Sequence, residues 1–228
     1  LFEGGVAPVA DTFIPPDDVK WDWVKDTIAR YELDPRKAEQ IFNDVGWRRG
    51  SNGMLMGTDG KPIVLGLWTT PGAQYAEEAA ILGDSWKKAG LTIEQAVLTP
   101  TQNADKKYVA SFPSLNPSQI PIGQDTLLGR IYGANCASEE NRWNGNNRSC
   151  YQNPAVDRVD ERLQKSIDPS EQRQLYGELA RLLNTDLGLL PLYFSVQAMV
   201  FREGVTGVKG DTRPSTSETW NIAEWDLN

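Results

Sequence analysis

The residues best suited to ligand recognition are concentrated in residues 136–154, which read CASEENRWNGNNRSCYQNP. This stretch contains Trp143, Tyr151, Arg142, Arg148 and five asparagines. Aromatic rings can stack on a ligand, while amide and guanidinium groups form directed hydrogen bonds with it. The composition therefore indicates a recognition loop but names no ligand.

The tip of this loop has two interpretations that the sequence leaves open. In the first, Trp143, Asn144, Asn146 and Arg148 face a ligand and bind it. In the second, the asparagines form Asx turns that fold the loop on itself, and Trp143 covers the core. We carry these four residues forward as candidate ligand contacts.

The two cysteines of the chain, Cys136 and Cys150, are separated by 13 residues. They could form a disulfide, remain two free thiols or supply half of a metal site. The sequence has no histidine and no CxxC spacing, which argues against zinc, so we expect neither a metal site nor a cofactor. A disulfide would close a loop of roughly 15 residues, stabilise the fold by about 3 kcal/mol and require an oxidising compartment.

Acid and base chemistry is a further possibility, because Asp157, Asp160 and Glu161 lie on one predicted helix. A two-carboxylate glycosidase would use such groups. Carboxylates opposite an apolar stripe are more typical of a solvated helix face. Without histidine a Ser-His-Asp triad is excluded, and we expect no catalytic residue.

Composition limits the function further. The 228 residues carry a formal net charge of -8 and no long basic cluster, which argues against a nucleic-acid partner. No run of about 18 apolar residues predicts a membrane span. No basic start precedes an apolar signal region. The chain begins at Leu1 rather than at a methionine, so we expect an excised fragment or a mature domain.

Turn and capping signals predict an α/β chain. Asp34 and Pro35 are an N-cap and a first helical residue, and Gly46 ends that helix. Asn153-Pro154 and Asp168-Pro169 open two further helices in the same way. The other expected elements are a hairpin of 54–56 with 63–70, a helix over 76–89, a parallel strand over 91–98, a strand over 107–112, a helix over 125–132, a buried strand over 189–201, a short strand over 205–208 and a polar loop over 213–217.

The order of these elements resembles the family 5 solute-binding proteins of ABC importers, the peptide-type extracytoplasmic receptors. The motifs that carry the resemblance are Tyr151-x-Asn153-Pro154-x-x-Asp157, then Arg173, Leu175 and Tyr176 on one helix, then Leu190-Pro191-Leu192-Tyr193. The resemblance covers essentially the whole chain but corresponds only to the C-terminal part of the family.

The resemblance implies a fold and a division of the chain. The expected fold is α/β, a type II periplasmic-binding-protein-like C-terminal lobe with a mixed sheet flanked by helices. Residues 1–16 would be a hinge segment from a missing N-terminal lobe, residues 17–200 the ligand-binding lobe, and residues 201–228 a tail that returns toward the missing lobe.

The resemblance also implies a role and a location. The chain would capture a peptide-like solute outside the membrane and deliver it to ABC permease subunits. It would lie in the periplasm or at the cell surface, anchored by lipid through the absent N-terminus. The cysteines would then be a local disulfide that shapes the loop.

Peptide receptors of this family often bind the ligand amine with an aspartate and, in some members, the carboxylate with an arginine. The corresponding stretch here is 110–116, and no acidic residue lies between Lys107 and Gln124; the 68–74 loop has no arginine. A longer peptide held by its backbone, or a neutral polyhydroxylated ligand, would suit the uncharged residues. The candidate contacts implied here are Trp68, Gln74, Phe112, Ser114 and Asn116. An oligosaccharide receptor of the same fold is the alternative.

Overall fold

The computed structural model describes residues 7–120, 124–195, 199–210 and 219–227. The chain divides into two compact units. Unit 1 comprises Leu1–Tyr31, Ile120–Asn135 and Cys150–Asn228, and unit 2 comprises Glu32–Gln119 and Cys136–Ser149. None of the helices within the described ranges is both long and apolar enough to cross a membrane.

The described part of the chain contains helices and short strands. The helices are α1 Trp21–Val24, α2 Pro35–Asp44, α3 Ala73–Lys88, α4 Pro100–Ala104, α5 Lys106–Ala110, α6 Gln124–Ile131, α7 Pro154–Leu163 and α8 Pro169–Asp186. The strands are β1 Arg48–Arg49, β2 Leu55–Met56, β3 Val64–Thr69, β4 Thr92–Val97, β5 Val205–Thr206 and β6 Asp226–Leu227.

Unit 2 is built around the β3–α3–β4 unit. The two strands pair in parallel, from Val64 opposite Thr92 to Thr69 opposite Val97, as the sequence predicts. The buried core beside them consists of Leu55, Leu67, Ala79, Leu91 and Ile93. A parallel pair needs a crossover connection, and α3 supplies it.

The second edge of β3 is also occupied. Leu115 donates its N–H to Gly66 O at 2.9 Å and accepts from Trp68 N at 2.9 Å, in a parallel bridge opposite Leu67. Pro113 packs against Gly66 so closely that a Cβ on Gly66 would lie 2.1 Å from the proline Cγ. β3 is therefore hydrogen-bonded on both sides.

Two predicted elements of unit 2 are wrong. Residues 106–110 form helix α5 rather than part of a strand, because the Asp105 carboxylate accepts from Tyr108 N at 3.1 Å and caps a helical turn. β2 pairs with β1, and it meets the predicted partner strand only at its start, where Ile63 N donates to Leu55 O at 2.9 Å beside the Met56–Pro62 bridge. The ladder does not extend because Leu55 N donates to Gly90 O and Ile63 O accepts from Thr92 N.

Unit 1 is a helical cluster in which α7 and α8 are capped as predicted. Asn153 Oδ1 accepts from Ala155 N at 2.9 Å, and Asp168 Oδ1 accepts from Ser170 N at 2.8 Å. The largest fully buried members of its core are Val24, Ile131, Val156, Leu175 and Leu179.

The predicted buried strand over 189–201 is also wrong in the part that the structure describes. Only a single bridge, Tyr193 with Val9, occurs there, and residues 196–198 lie outside the described residues. Leu190, Val200 and Phe201 are exposed. An apolar run forms a buried strand only when neighbouring strands pair with it, and the described neighbour is limited to residues 8–10. The predicted loop over 213–217 also lies outside the described residues.

Tyr151 connects the start of α7 with the end of α8. Its hydroxyl donates to Asp186 Oδ2 at 2.6 Å, and Asn153 Nδ2 donates to the same oxygen at 3.1 Å. A Cβ on Gly188 would lie 2.3 Å from the Tyr151 ring. Burial of the phenol and, second, its hydrogen bond to the Asp186 carboxylate raise the pKa of Tyr151 to about 12. The hydrogen bonds from Tyr151 and Asn153 lower the pKa of Asp186.

Tyr151→Phe is expected to lower the free energy of unfolding at pH 8, because the phenol bond to Asp186 is lost. Folding favours the neutral phenol, since the folded pKa of about 12 lies above the ordinary value of 10.0. That contribution is fully present below pH 10 and disappears as pH rises toward 12. Urea unfolding between pH 8 and 12 should show the difference between the two proteins shrinking in this window. A constant difference would contradict the assignment.

Gly66→Ala is expected to lower the free energy of unfolding by about 1–3 kcal/mol, because the added methyl group collides with Pro113. Gly210→Ala is the matched control, since no atom lies within 4 Å of the added group. The control should change the unfolding free energy by less than about 1 kcal/mol. Urea titration followed by tryptophan fluorescence measures the unfolding free energy of each variant. Equal losses in the two variants would refute the close contact between Gly66 and Pro113.

Candidate ligand-binding site

All nine candidate contacts predicted from the sequence belong to unit 2. They fall into two groups. Those near the end of β3 are Trp68, Gln74, Phe112, Ser114 and Asn116, and those in the loop are Trp143, Asn144, Asn146 and Arg148. Helix α5 contacts both groups.

The first contact of α5 is a ring stack. Tyr108 lies parallel to Trp68, with ring centroids 5.0 Å apart and an interplanar angle of 16°. Gln102 Nε2 donates to the Tyr108 hydroxyl at 3.1 Å, which fixes the phenol. Both rings are half-buried, so each retains solvent-accessible surface. Such a stacked pair stabilises the fold by about 0.5–1.5 kcal/mol in addition to the stabilisation from the apolar area that it buries.

The second contact of α5 reaches the loop tip. Lys107 Nζ lies 5.7 Å from the centroid of the Trp143 ring, within the range of a cation–π interaction. Lys106 Nζ donates to Asn144 Oδ1. Tyr108 belongs to this short helix, Trp68 stacks on Tyr108, and Trp143 lies beside Lys107; all three residues are half-buried. We call these three rings the aromatic platform.

The polar residues near β3 have structural contacts of their own. Ser114 Oγ accepts from Gly66 N at 3.2 Å, and Asn116 Nδ2 donates to Trp68 O at 3.0 Å. These bonds hold the segment of Leu115 along β3. Gln74 is exposed in the first turn of α3 and donates to Glu78 at 3.1 Å. Phe112 is half-buried beside this segment.

Within the loop, several asparagines fold the chain on itself, as the second interpretation proposes. Asn141 Nδ2 donates to Cys136 O at 2.7 Å, and its Oδ1 accepts from Ser138 N at 3.0 Å. Asn147 is fully buried. Asn146 and Arg148 are exposed. Cys136 and Cys150 form a disulfide, as expected.

The loop tip has an unusual backbone. Arg142 and Trp143 have φ values of 54° and 60°, in the left-handed region. This region costs roughly 1–2 kcal/mol for a residue with a side chain. Hydrogen bonds from Trp143 N to Ser138 O at 2.8 Å and from Arg142 N to Glu139 O at 3.0 Å stabilise it. The conformation sets Trp143 against Lys107.

Sequence reasoning missed Lys106, Lys107 and Tyr108 as contributors to this site. The sequence predicts a strand over 107–112, so it indicates no helical face that would carry these side chains. The signal was nevertheless present: Thr99 and Gln102 have the spacing of a capping box, and both of its hydrogen bonds are formed. A helix start at Pro100 followed by the Asp105 cap would have predicted two short helices.

The carboxylates on α7 lie in unit 1, and one of them, Asp160, lines a polar pocket of about 260 Å³. Its lining consists of Leu128, Gly129, Tyr132, Asn135, Asp160 and Gln164. Asp160 is only 1% exposed and accepts twice from Gln164 Nε2 at 3.1 Å, so the expectation of a solvated face is wrong for it. It shares the inward face of α7 with Val156, Val159 and Leu163.

The neighbouring carboxylates also accept structural hydrogen bonds. Asp157 Oδ1 accepts from Gly133 N at 2.9 Å, and Glu161 accepts from the Tyr132 hydroxyl at 3.1 Å. The Glu161 bond raises the pKa of Tyr132. Within the described ranges, no group of three acidic, cysteine or histidine side chains is arranged to hold a metal ion.

Comparison with known proteins gives a consistent result. No family model matches the chain. The oligopeptide-binding protein AppA of Bacillus subtilis is 20% identical over 227 residues, which cover 94% of this chain and 39% of AppA. The chain therefore spans about two fifths of the length of this curated relative.

Two solved structures extend the comparison. An oligopeptide-binding protein of Thermus thermophilus with a bound pentapeptide has a TM-score of 0.74 at 22% identity, over 98% of this chain and 40% of that one. A periplasmic oligopeptide-binding protein of Thermotoga maritima with bound mannohexaose has a TM-score of 0.71 at 21% identity. The match covers 84% of this chain and 37% of that one. The resemblance seen in the sequence is thereby confirmed: the chain resembles family 5 solute-binding proteins over almost its whole length and has the fold of the corresponding part of a type II periplasmic binding protein.

Proposed function

We propose that this chain is part of the substrate-binding component of an ABC importer and that it captures a peptide-like solute. The observation that supports this most is the aromatic platform, because half-buried rings near the end of a parallel strand offer an accessible stacking surface. Ligands of α/β folds commonly bind outside the carboxyl ends of the strands. Trp68 lies one residue before the end of β3.

The proposed mechanism is closure around the solute. The solute would contact the platform and the remaining part of the receptor, and so would stabilise the closed state. Residues 1–16 and 201–228 would be the segments that connect the two parts. The chain alone offers only part of the contact surface, so it should bind weakly.

The role we propose is binding without catalysis. The relatives are solute-binding proteins rather than enzymes. Asp157, Asp160 and Glu161 act as hydrogen-bond acceptors within unit 1, which accounts for their presence without a reaction.

We also propose an extracytoplasmic location, with the permease subunits of the importer as partners. A disulfide persists in oxidising compartments, which supports this location. The name of the Thermotoga relative describes it as periplasmic. A lipid anchor at an N-terminus outside this sequence would keep the receptor at the membrane.

An oligosaccharide is the second candidate ligand. One relative of the same fold has mannohexaose bound. The flat faces of Trp68 and Trp143 would suit sugar rings as well as peptide side chains.

Calorimetric titration with pentaalanine and with mannohexaose distinguishes the two ligands. It should be done with the 228-residue chain and with the longer protein of which we propose it is a part. We expect the longer protein to bind the peptide and the chain alone to bind it at least 100-fold more weakly. Nanomolar binding by the chain alone would contradict closure, and binding of mannohexaose alone would replace the peptide assignment. Turnover of a chromogenic glycoside that Asp160→Asn abolishes would contradict the non-catalytic role.

Trp68→Ala tests the platform directly. It should weaken peptide binding by about tenfold or more, because it removes a central aromatic contact. Trp21→Ala is the matched control, since Trp21 lies in α1 of unit 1, outside the platform and outside the two connecting segments. Circular dichroism must show that both variants remain folded. Equal affinities of the two variants would place the binding surface elsewhere.

A further inference from the structure

Asparagine is followed by glycine at two places in the chain, Asn52-Gly53 and Asn144-Gly145. Both asparagines are exposed. In this dipeptide the backbone nitrogen of the glycine can attack the side-chain amide carbon of the asparagine, because glycine has no Cβ to obstruct the approach. The product is a succinimide ring, which water opens to aspartate or isoaspartate. Each pair is therefore a candidate site of self-modification.

The structure opposes this reaction at the first pair. Gly53 N donates to Gly50 O at 3.0 Å, and Asn52 Oδ1 accepts from Met54 N at 3.0 Å. The attacking nitrogen and the amide to be attacked are thus both held in a turn, which Gly50 N closes by donating to Met54 O at 2.8 Å. The hydrogen bond of Gly53 must be lost as its nitrogen turns toward the Asn52 side chain, and this loss raises the barrier.

The second pair differs at both reacting groups. Gly145 N–H has no hydrogen-bond acceptor among the described residues, so no such bond is lost when the nitrogen attacks. Lys106 Nζ donates to Asn144 Oδ1, the oxygen that becomes negatively charged during the attack. A cationic donor at a developing oxyanion lowers the barrier. Asn144 Nδ2, the leaving group, donates to Asn141 O at 2.9 Å and Arg142 O at 3.4 Å, so the amide is oriented and polarised before the reaction begins.

We propose that Asn144 is a site of spontaneous deamidation and that Lys106 promotes the reaction. Gly145 N forms a bond to Asn144 Cγ and releases its proton to a solvent base. The Cγ–Nδ2 bond breaks as Nδ2 takes a proton from solvent and leaves as ammonia. Water then adds to one of the two carbonyl carbons of the succinimide, and the ring opens to aspartate or isoaspartate. Water is the only co-reactant, and nothing is oxidised or reduced.

The product changes the tip of the loop. A carboxylate accepts hydrogen bonds but donates none, so the bonds from residue 144 to Asn141 O and Arg142 O are lost. Isoaspartate also adds a methylene group to the backbone immediately after Trp143, a ring of the aromatic platform. Deamidation thus alters one candidate ligand contact and the segment that holds a neighbouring ring. The reaction itself does not depend on the proposed function.

The test follows the two asparagines in the same molecule. The 228-residue chain is incubated in mildly alkaline buffer, digested at acidic pH and mapped by mass spectrometry, with fragmentation that locates the modified residue and separates aspartate from isoaspartate. In the folded chain we expect Asn144 to convert about tenfold faster than Asn52. In the chain unfolded in guanidinium chloride with its disulfide reduced, the two rates should lie within about threefold of each other, because no fixed contact remains.

Variants assign the effect to the lysine. Lys106→Met should slow the conversion of Asn144 by about threefold, a modest factor because an exposed ammonium group is well solvated. The conversion of Asn52 should stay unchanged in this variant. Lys88→Met, which replaces an exposed lysine at the end of α3, is the matched control and should leave both rates unchanged. Thermal unfolding of each variant shows whether it remains folded under the conditions of the incubation.

The outcomes decide each part of the proposal. If Asn144 stays unmodified in the folded chain, or converts no faster than Asn52, deamidation at this site is overturned. A difference of the same size in the unfolded chain assigns it to the sequence and overturns the structural argument. A Lys106→Met rate equal to or above that of the wild-type chain overturns promotion by the lysine. None of these measurements uses a solute, so their failure leaves the proposed function intact.

Discussion

The pairing of strand β3 on both of its edges is the constraint on which the rest of unit 2 depends. One edge is the parallel ladder with β4, and the other is the contact with Leu115. The second edge exists because Gly66 has no side chain and Pro113 can lie directly against it. The same contacts fix Trp68 and place Ser114 and Asn116 beside it, so the sheet and one side of the candidate site are a single structure.

The other side of the site depends on short-range capping. Asp105 caps a helix of only five residues. In that helix Tyr108 stacks on Trp68, and Lys107 lies beside the Trp143 ring. The disulfide and the asparagine bonds hold the loop in a conformation that includes left-handed residues. Ordering the loop before a ligand arrives reduces the entropy that binding must overcome.

The sequence predicted those helix starts that are determined by side chains close to them along the chain. Asn153 and Asp168 are N-caps because their side chains reach backbone N–H groups two or three residues away, and the pattern can be seen in a single segment. Tyr108 and Val109 favour a strand by propensity, but the Asp105 cap makes the segment helical. The burial of Asp160 and the meeting of Trp68 with Tyr108 depend on packing between distant segments, which no local pattern contains.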